Sequence, residues 1–465
     1  MEMIENRLFD EITVGDKAAV AHVLTAEDVA LFAAMSGDVN PAHMDVEYAR
    51  STMFEGIIGH GMWGASLISA VLGTELPGPG AIYLSQTLQF KKPVRIGDRV
   101  TASVTVREKR DGRRIVFDCE CRNQAGDIVI AGEAVVLAPQ DKVRRPAVAK
   151  PEAFVYENAV RLKALIEKAR DAGPPVRAGV VHPVNTLTLD GVAGAMEKNL
   201  IAPVLIGPRA KIEAAAAEAE FNLAACEIID APHSHAAADA AVALAHSGKI
   251  DVLMKGALHT DEIMGAIVSS KTGLRTERRI SHVYVMDTPA YEKMIFMTDA
   301  AINIAPDLED KQDIIQNAID VAVALGVERP KVAILSAVET VYPKLQSTID
   351  AAALCKMADR GQITGGVLDG PLAFDNAISP AAAAAKGIVS PVAGHADILL
   401  APDLEAGNML AKQLDYLAGA VAAGIVLGAR VPVILTSRAE GRLARTAASA
   451  VAKLYHYSRK PTKAS

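Results

Sequence analysis

Asp38-Val39-Asn40-Pro41-Ala42-His43 places a carboxylate and an imidazole on either side of an Asn-Pro turn. Such a pair can share the work of adding and removing a proton and water. Asn40 is placed to cap a short helix and Pro41 to open it, which puts His43 in the first helical turn. The positive end of a helix disfavours a protonated imidazole, so His43 is expected to be neutral and able to act as a base. The same spacing also suits a plainer arrangement, with Asp38 supporting the turn and His43 on a surface helix. A second group of reactive residue types lies further on. Met254-Lys255-Gly256-Ala257-Leu258-His259-Thr260 follows an apolar run that reads as a strand, so Lys255 and His259 fall at a plausible site mouth. Arg275, Arg278 and Arg279 crowd another strand start, and clustered guanidiniums favour phosphate or carboxylate. They also suit an exposed loop. Asp369 and Asp375 stand six apart in a stretch that reads equally as a turn. Leu435-Thr436-Ser437-Arg438 ends a strand with a hydroxyl and a guanidinium, a sensible clamp for an oxyanion or phosphate.

The elements that must hold these residues change character along the chain. Thr25-Ala26-Glu27-Asp28 resembles a helix start, with Thr25 as cap, and Gly37 suits its stop. A run from His60 to Leu72 is apolar on nearly every side, which predicts a buried helix ended by Gly73. Alternating segments follow at Ile82 to Phe90, Val100 to Glu108, Ile115 to Arg122 and Ile128 to Leu137, joined by turn residues such as Asp111-Gly112. Residues 1–138 therefore read as an antiparallel sheet wrapped around one helix. Residues 139–157 carry Lys142, Arg144, Arg145 and Lys150 among prolines and read as a linker. Over residues 158–465 short apolar runs alternate with Ala-rich helical stretches, such as Asp310 to Leu325 and Ala406 to Leu427. Strands are expected at Val176 to Val181, Val204 to Ile206, Val252 to Met254 and His282 to Val285. Others are expected at Ala301 to Ile304, Val332 to Leu335, Ile398 to Leu400 and Val431 to Leu435. That alternation predicts a two-lobed α/β domain with mostly parallel sheets and a ligand cleft between the lobes.

Composition narrows the classes. The 465 residues suit several domains, and 51% hydrophobic with 22% charged is ordinary for packed globular units. A net charge of −7 without a basic, aromatic-rich stripe argues against a nucleic-acid partner. Four scattered cysteines exclude a disulfide framework, and Cys119 and Cys121 share one face of a strand as small apolar side chains. The first ten residues lack the apolar core of a signal peptide, and no apolar run reaches the ~20 residues of a membrane span. A cytoplasmic location is expected. Neither dinucleotide nor ATP phosphate loops of the common kinds occur. Histidines 182, 233, 235 and 259 match no standard metal-ligand spacing.

Three stretches together are more specific than any one. Ser36 to His43, Phe54 to Met62 and Gln89 to Asp98 resemble, in order and spacing, the MaoC-like (R)-specific enoyl-CoA hydratases. The resemblance implies a hot-dog domain, an antiparallel sheet around a central helix, that works as a dimer. It implies that Asp38 and His43 activate the water that attacks C3 of an enoyl-CoA and deliver a proton to C2, with Asn40 and His60 beside the substrate. It implies that the Gly61 N–H holds the thioester oxygen, which agrees with the physics of a helix N-terminus. Ser69 matches a serine that orients the aspartate; on the helix it is equally a small core residue.

The Asp369 to Asp375 run, Ala401 to Asn408 and Ser437-Arg438 look like the phosphate acetyl/butyryltransferase family, as do the stretches around Lys255 and Arg275. The resemblance spans roughly residues 155–460 and implies acyl transfer between CoA and inorganic phosphate, with Ser437 and Arg438 on the acyl-phosphate oxygens. Two departures stand out. Gly265 stands where relatives carry an arginine, and Ala444 where acetyl-transferring relatives carry an aspartate that serves CoA deprotonation. The combined expectation is a bifunctional enzyme of acyl-CoA thioesters, homo-oligomeric through both domains, with CoA esters and phosphate as substrates and no metal or redox cofactor. Two other readings stay open: a hydratase carrying a catalytically weak CoA- or acyl-phosphate-binding module, and a hydratase on an assembly scaffold.

Overall fold

The computed structural model describes residues 3–147, 159–436 and 440–459. The chain divides into two compact units, Met1–Tyr156 and Glu157–Ser465.

In the first unit, β1 (Lys17–Val23) leads into α1 (Ala26–Ser36). Thr25 caps α1 as expected. Its hydroxyl accepts from Asp28 N–H at 3.0 Å and the Asp28 carboxylate accepts from Thr25 N–H at 2.9 Å. Gly37 then ends the helix at φ +76°, a left-handed conformation that a side chain would strain. Thr25→Ala is expected to lower stability by about 1 kcal/mol, seen as a lower urea midpoint at unchanged slope. The short α2 (Pro41–Met44) and the long α3 (Gly61–Thr74) follow, then β2 (Ile82–Phe90), β3 (Arg99–Arg110), β4 (Arg114–Arg122) and β5 (Ile128–Leu137). The strands form one antiparallel sheet in the order β1-β3-β4-β5-β2.

The two-residue period of a strand decides what faces α3. Val100, Ala102, Val104 and Val106 of β3 are buried with Ile115, Phe117, Cys119 and Cys121 of β4. They pack against Trp63, Ile68, Val71 and Leu72 of α3. Burial pushes the Cys119 and Cys121 thiols up to about 12, so neither is a nucleophile at neutral pH.

The helix itself departs from expectation. Among the described residues only one face of α3 is covered; Met62, Ser66, Ser69, Ala70 and Gly73 are exposed. Small residues make the run read as apolar all round although the sheet packs against one side only. The helix also passes through Gly73 to Thr74. The basic stretch read as linker begins as ordered structure: Arg144–Pro146 pairs antiparallel with Met3–Glu5, and Lys142 Nζ bonds Glu11 at 2.8 Å. Lys150 lies outside the described residues.

The second unit is built on one sheet of eleven strands. In chain order these are β6 (Val176–Val181), β7 (Ile201–Gly207), β8 (Glu227–Asp230), β9 (Val252–Lys255), β10 (Ser281–Asp287) and β11 (Ile295–Thr298). After them come β12 (Lys331–Leu335), β13 (Val367–Leu372), β14 (Ile398–Leu400), β15 (Val421–Leu427) and β16 (Val433–Ile434). The spatial order is β8-β7-β6-β9-β16-β15-β10-β11-β14-β12-β13. Pairing is parallel within each wing but antiparallel at β16/β15, β15/β10 and β10/β11. The two wings therefore run in opposite directions, and a single mixed sheet replaces the separate parallel sheets that the alternation predicts.

Three local differences have physical reasons. Ala301 to Ile304 is not a strand: the Asp299 carboxylate accepts from the N–H groups of Ala301 at 2.9 Å and Ile302 at 3.0 Å, which bends the chain. The helix expected from Ala406 to Leu427 stops at Ala418, where Gly419 turns at φ +65°. The remaining apolar run is the buried strand β15, which short apolar patterns cannot distinguish from helix. Asp369-Gly370-Pro371 is not a turn but part of β13, the edge strand, the place where a sheet tolerates proline.

Candidate active sites

The first site begins with backbone geometry. Asn40 Oδ1 accepts from Ala42 N–H at 3.0 Å and Pro41 opens α2, as expected. The helix presents His43 inward rather than to solvent. Its Nδ1 lies 2.8 Å from the Ile58 carbonyl oxygen. A carbonyl only accepts, so Nδ1 carries the proton and Nε2 of the neutral ring keeps its lone pair. His60, buried at the start of α3, donates from Nε2 to the Asp38 carbonyl oxygen at 2.9 Å. That bond ties the carboxylate-bearing turn to α3. The His43 and His60 rings lie 4.0 Å apart, and Phe32 packs on His60 at 4.9 Å.

Asp38, His43, His60 and Gly61 line one cavity of about 700 Å³ with Phe90 and Ile130. A Cβ on Gly61 would lie 2.8 Å from a Phe90 ring carbon, so any larger residue would push this wall away from the helix end. The first amides of α3 have no acceptor within the helix and are available to an oxygen in the cavity. Ser69 is exposed, about 12 Å along α3 from Gly61 at 1.5 Å per residue. It does not line this cavity, so within one chain it is not brought to Asp38.

The second site lies where the sheet reverses. Lys255 ends β9, Thr436 follows β16, Ala301 lies beyond β11, and α6 (Leu404–Ala418) follows β14. Residues from both wings thus meet in a cavity of about 650 Å³ lined by Lys255, His259, Thr260, Tyr284, Asn408 and Thr436. Such reversals are where open α/β sheets bind ligands. Lys255 is buried. His259 heads α4 (Thr260–Val268), its N–H donating to Glu262 at 2.7 Å. Ser437 and Arg438 directly follow Thr436 in the chain but lie outside the described residues.

The other expected contacts do not converge on this cleft. Arg278 pairs with Asp320 of α5 (Leu308–Leu325), and Arg279 bonds Asn303 at 2.8 Å and meets Asp310 at 3.1 Å. Val283 and Val285 of β10 share a core cluster with residues of α5, whereas the intervening Tyr284 lines the cleft. Arg275 and Arg278 therefore face a different cavity, on the opposite side of the sheet, with Arg430, Tyr455 and Arg459. Asp369 sits in the edge strand, and Asp375 lies 3.9 Å from Lys386. Neither lines the cleft.

One group escaped sequence reasoning. Arg445, buried in α7 (Arg442–Ser458), donates from Nη1 to Thr436 Oγ1 at 2.8 Å, and so steadies the strand end that leads into Ser437. Burial holds its guanidinium below the usual range. The available signal was an arginine inside an Ala-rich helix, where a charge needs a reason to be buried.

Residues 12–123 match the MaoC like domain family, and residues 235–451 match the Phosphate acetyl/butaryl transferase family. The phosphate acetyltransferase of Rhizobium meliloti is 62% identical over 291 residues, which cover 63% of this chain and 92% of the relative. The chain belongs to the phosphate acetyl/butyryltransferase family and carries a MaoC-like domain ahead of that part. The phosphate butyryltransferase of Clostridium acetobutylicum is 41% identical over 266 residues, 57% of this chain and 88% of the relative. Among solved structures, a branched-chain phosphotransacylase from Enterococcus faecalis V583 aligns at TM-score 0.54 and 29% identity. It covers 60% of this chain and 99% of that one. An R-hydratase from Pseudomonas aeruginosa is 41% identical over 33% of this chain and 99% of its own, at TM-score 0.32.

Within the transferase part, Gly265 lies on α4 with open space around it. Ala444 borders a small cavity with Lys412, Asp415 and Glu440. Among the described residues no helix is long and apolar enough to cross a membrane.

Proposed function

We propose that this chain handles acyl-CoA thioesters twice. The MaoC-like domain adds water reversibly to a trans-2-enoyl-CoA to give the (3R)-hydroxyacyl-CoA. The transferase domain exchanges CoA for phosphate on an acyl group. One observation carries the first half. His43 spends Nδ1–H on Ile58, so the Nε2 lone pair is left for the cavity that also holds Asp38 and the α3 amides. Asp38 and His43 take a proton from water as its oxygen bonds C3, and return a proton to C2. The Gly61 N–H meets the charge that gathers on the thioester oxygen. The second half is supported by family membership and by a cleft in which Lys255 and Thr436 meet residues of the opposite wing. Both reactions proceed with CoA esters, water and phosphate alone. Self-association belongs to the proposal: β2 is an edge strand bearing exposed Ile82, Leu84 and Phe90, an arrangement that isolated chains seldom leave open.

The full-length protein tests both halves in one cuvette. With enoyl-CoA and no phosphate, the conjugated-enoyl absorbance should fall. With acyl-CoA, free thiol should appear only when phosphate is added. Arg438→Ala is expected to abolish thiol release and to spare hydration. Failure of the first signal removes the hydratase, and failure of the second leaves the transferase part as a weak binding module or scaffold.

A further inference from the structure

The first site contains a feature that its acid–base chemistry leaves unused. His60 is 3% exposed, yet its Nδ1 has no hydrogen-bond partner. A buried imidazole nitrogen without a partner is costly unless something else occupies its lone pair. His43 and His60 are arranged alike, each with one ring nitrogen bonded to a backbone carbonyl, at 2.8 Å and 2.9 Å. In metal sites the remote nitrogen of a ligating histidine donates in this way, which fixes the tautomer and turns the other lone pair toward the ion. One donor atom each from Asp38, His43 and His60 lies within 4.8 Å of the others. Three ligands about 2.0–2.1 Å from a tetrahedral ion sit roughly 3.3 Å apart. Closing the difference asks most of Asp38, whose exposed carboxylate accepts a long 3.3 Å bond from Asn40 N–H that it would share or give up. The cavity of about 700 Å³ leaves room for water in the remaining coordination position.

We infer that Asp38, His43 and His60 form a divalent transition-metal site, suited to Zn²⁺, that competes with the acid–base use of the same groups. Two imidazoles and one carboxylate with an open position are a donor set that zinc accepts, and one that the harder Mg²⁺ does not prefer. A bound ion would take the His43 lone pair and the Asp38 carboxylate together. Metal binding does not depend on the proposed hydration, whereas its inhibitory effect does.

Co²⁺ serves as a spectroscopic probe on the full-length protein freed of metal by chelation. One equivalent is expected to give the visible d–d bands of a nitrogen–oxygen site, and Zn²⁺ is expected to erase them. His43→Gln and His60→Gln should each abolish the bands. His235→Gln removes a histidine of the second unit that lies 3.2 Å from Glu262, and should retain them. Asp38→Asn changes an exposed residue and so guards against simple misfolding: it should weaken Co²⁺ binding at least tenfold while the metal-free melting temperature stays put. Zn²⁺ should inhibit loss of enoyl absorbance competitively with enoyl-CoA, chelator should restore it, and phosphate-dependent thiol release should be untouched. Bands without any hydration in the metal-free protein would uphold the site and remove the hydratase reading. Absence of bands, or bands that survive both His43→Gln and His60→Gln, would overturn the inference.

Discussion

His43→Ala and Asp38→Asn are each expected to slow hydration of enoyl-CoA by about 10²–10⁴-fold, the usual worth of a positioned acid or base. The geometry says why neither partner replaces the other. His43 is held by one bond to Ile58, and Asp38 by the turn that His60 anchors. Each therefore addresses the cavity from a separate support. Groups that act on one proton-transfer step are not additive, so the double variant should be little worse than the poorer single one. Phosphate-dependent thiol release by the same variants should be unchanged. A hydration rate within threefold of the parent in either variant would remove that residue from the proposed chemistry.

His282→Leu is expected to flatten the acid side of the stability curve. His282 is fully buried in β10, at the centre of the sheet, and burial pushes its imidazole down to about 3. An unfolded chain restores an ordinary value near 6.5. Between those values the unfolded chain binds a proton that the native protein refuses. Stability is therefore full above about pH 6.5 and falls as pH drops toward 3, by about 1.4 kcal/mol per pH unit. Over the whole window that approaches roughly 4–5 kcal/mol, comparable with the entire stability of many domains. Urea unfolding at pH 6.5 and pH 5.0, where most carboxylates stay ionised, isolates the effect. Equal slopes in the parent and in His282→Leu would remove this histidine as the cause.

Much of the first site was legible because its signals are local. An Asn cap, a proline at the first helical position and a glycine at a helix mouth act within a few residues, and they stand where the spacing puts them. The alternating strands were equally plain. Non-local features were not. The role of His60 as anchor depends on a bond across 22 residues of chain. That α3 leaves one face uncovered follows from where the sheet ends, which no periodicity reports. In the second unit, buried strands are short apolar runs that resemble helix interiors, so β15 reads as a continuation of the preceding helix. The arginines near 275 look like one cluster in the sequence, but Arg275 and Arg278 face the side of the sheet away from the cleft and Arg279 is spent on Asn303 and Asp310. Conversely, Arg445 and Thr436 are nine residues apart in the chain, beyond the reach of any local pattern, yet their side chains touch.

The continuous sheet of the second unit makes the two wings a laminate rather than two hinged blocks. Backbone hydrogen bonds run unbroken from β9 through β16, β15 and β10 to β11, across the line where the wings meet. Severing them there would leave two raw sheet edges, each a template for aggregation. The wings should therefore melt together in a calorimeter, and neither should survive alone as a soluble fragment. For protein engineering, the place to divide this chain is between its two compact units and not through the cleft of the second.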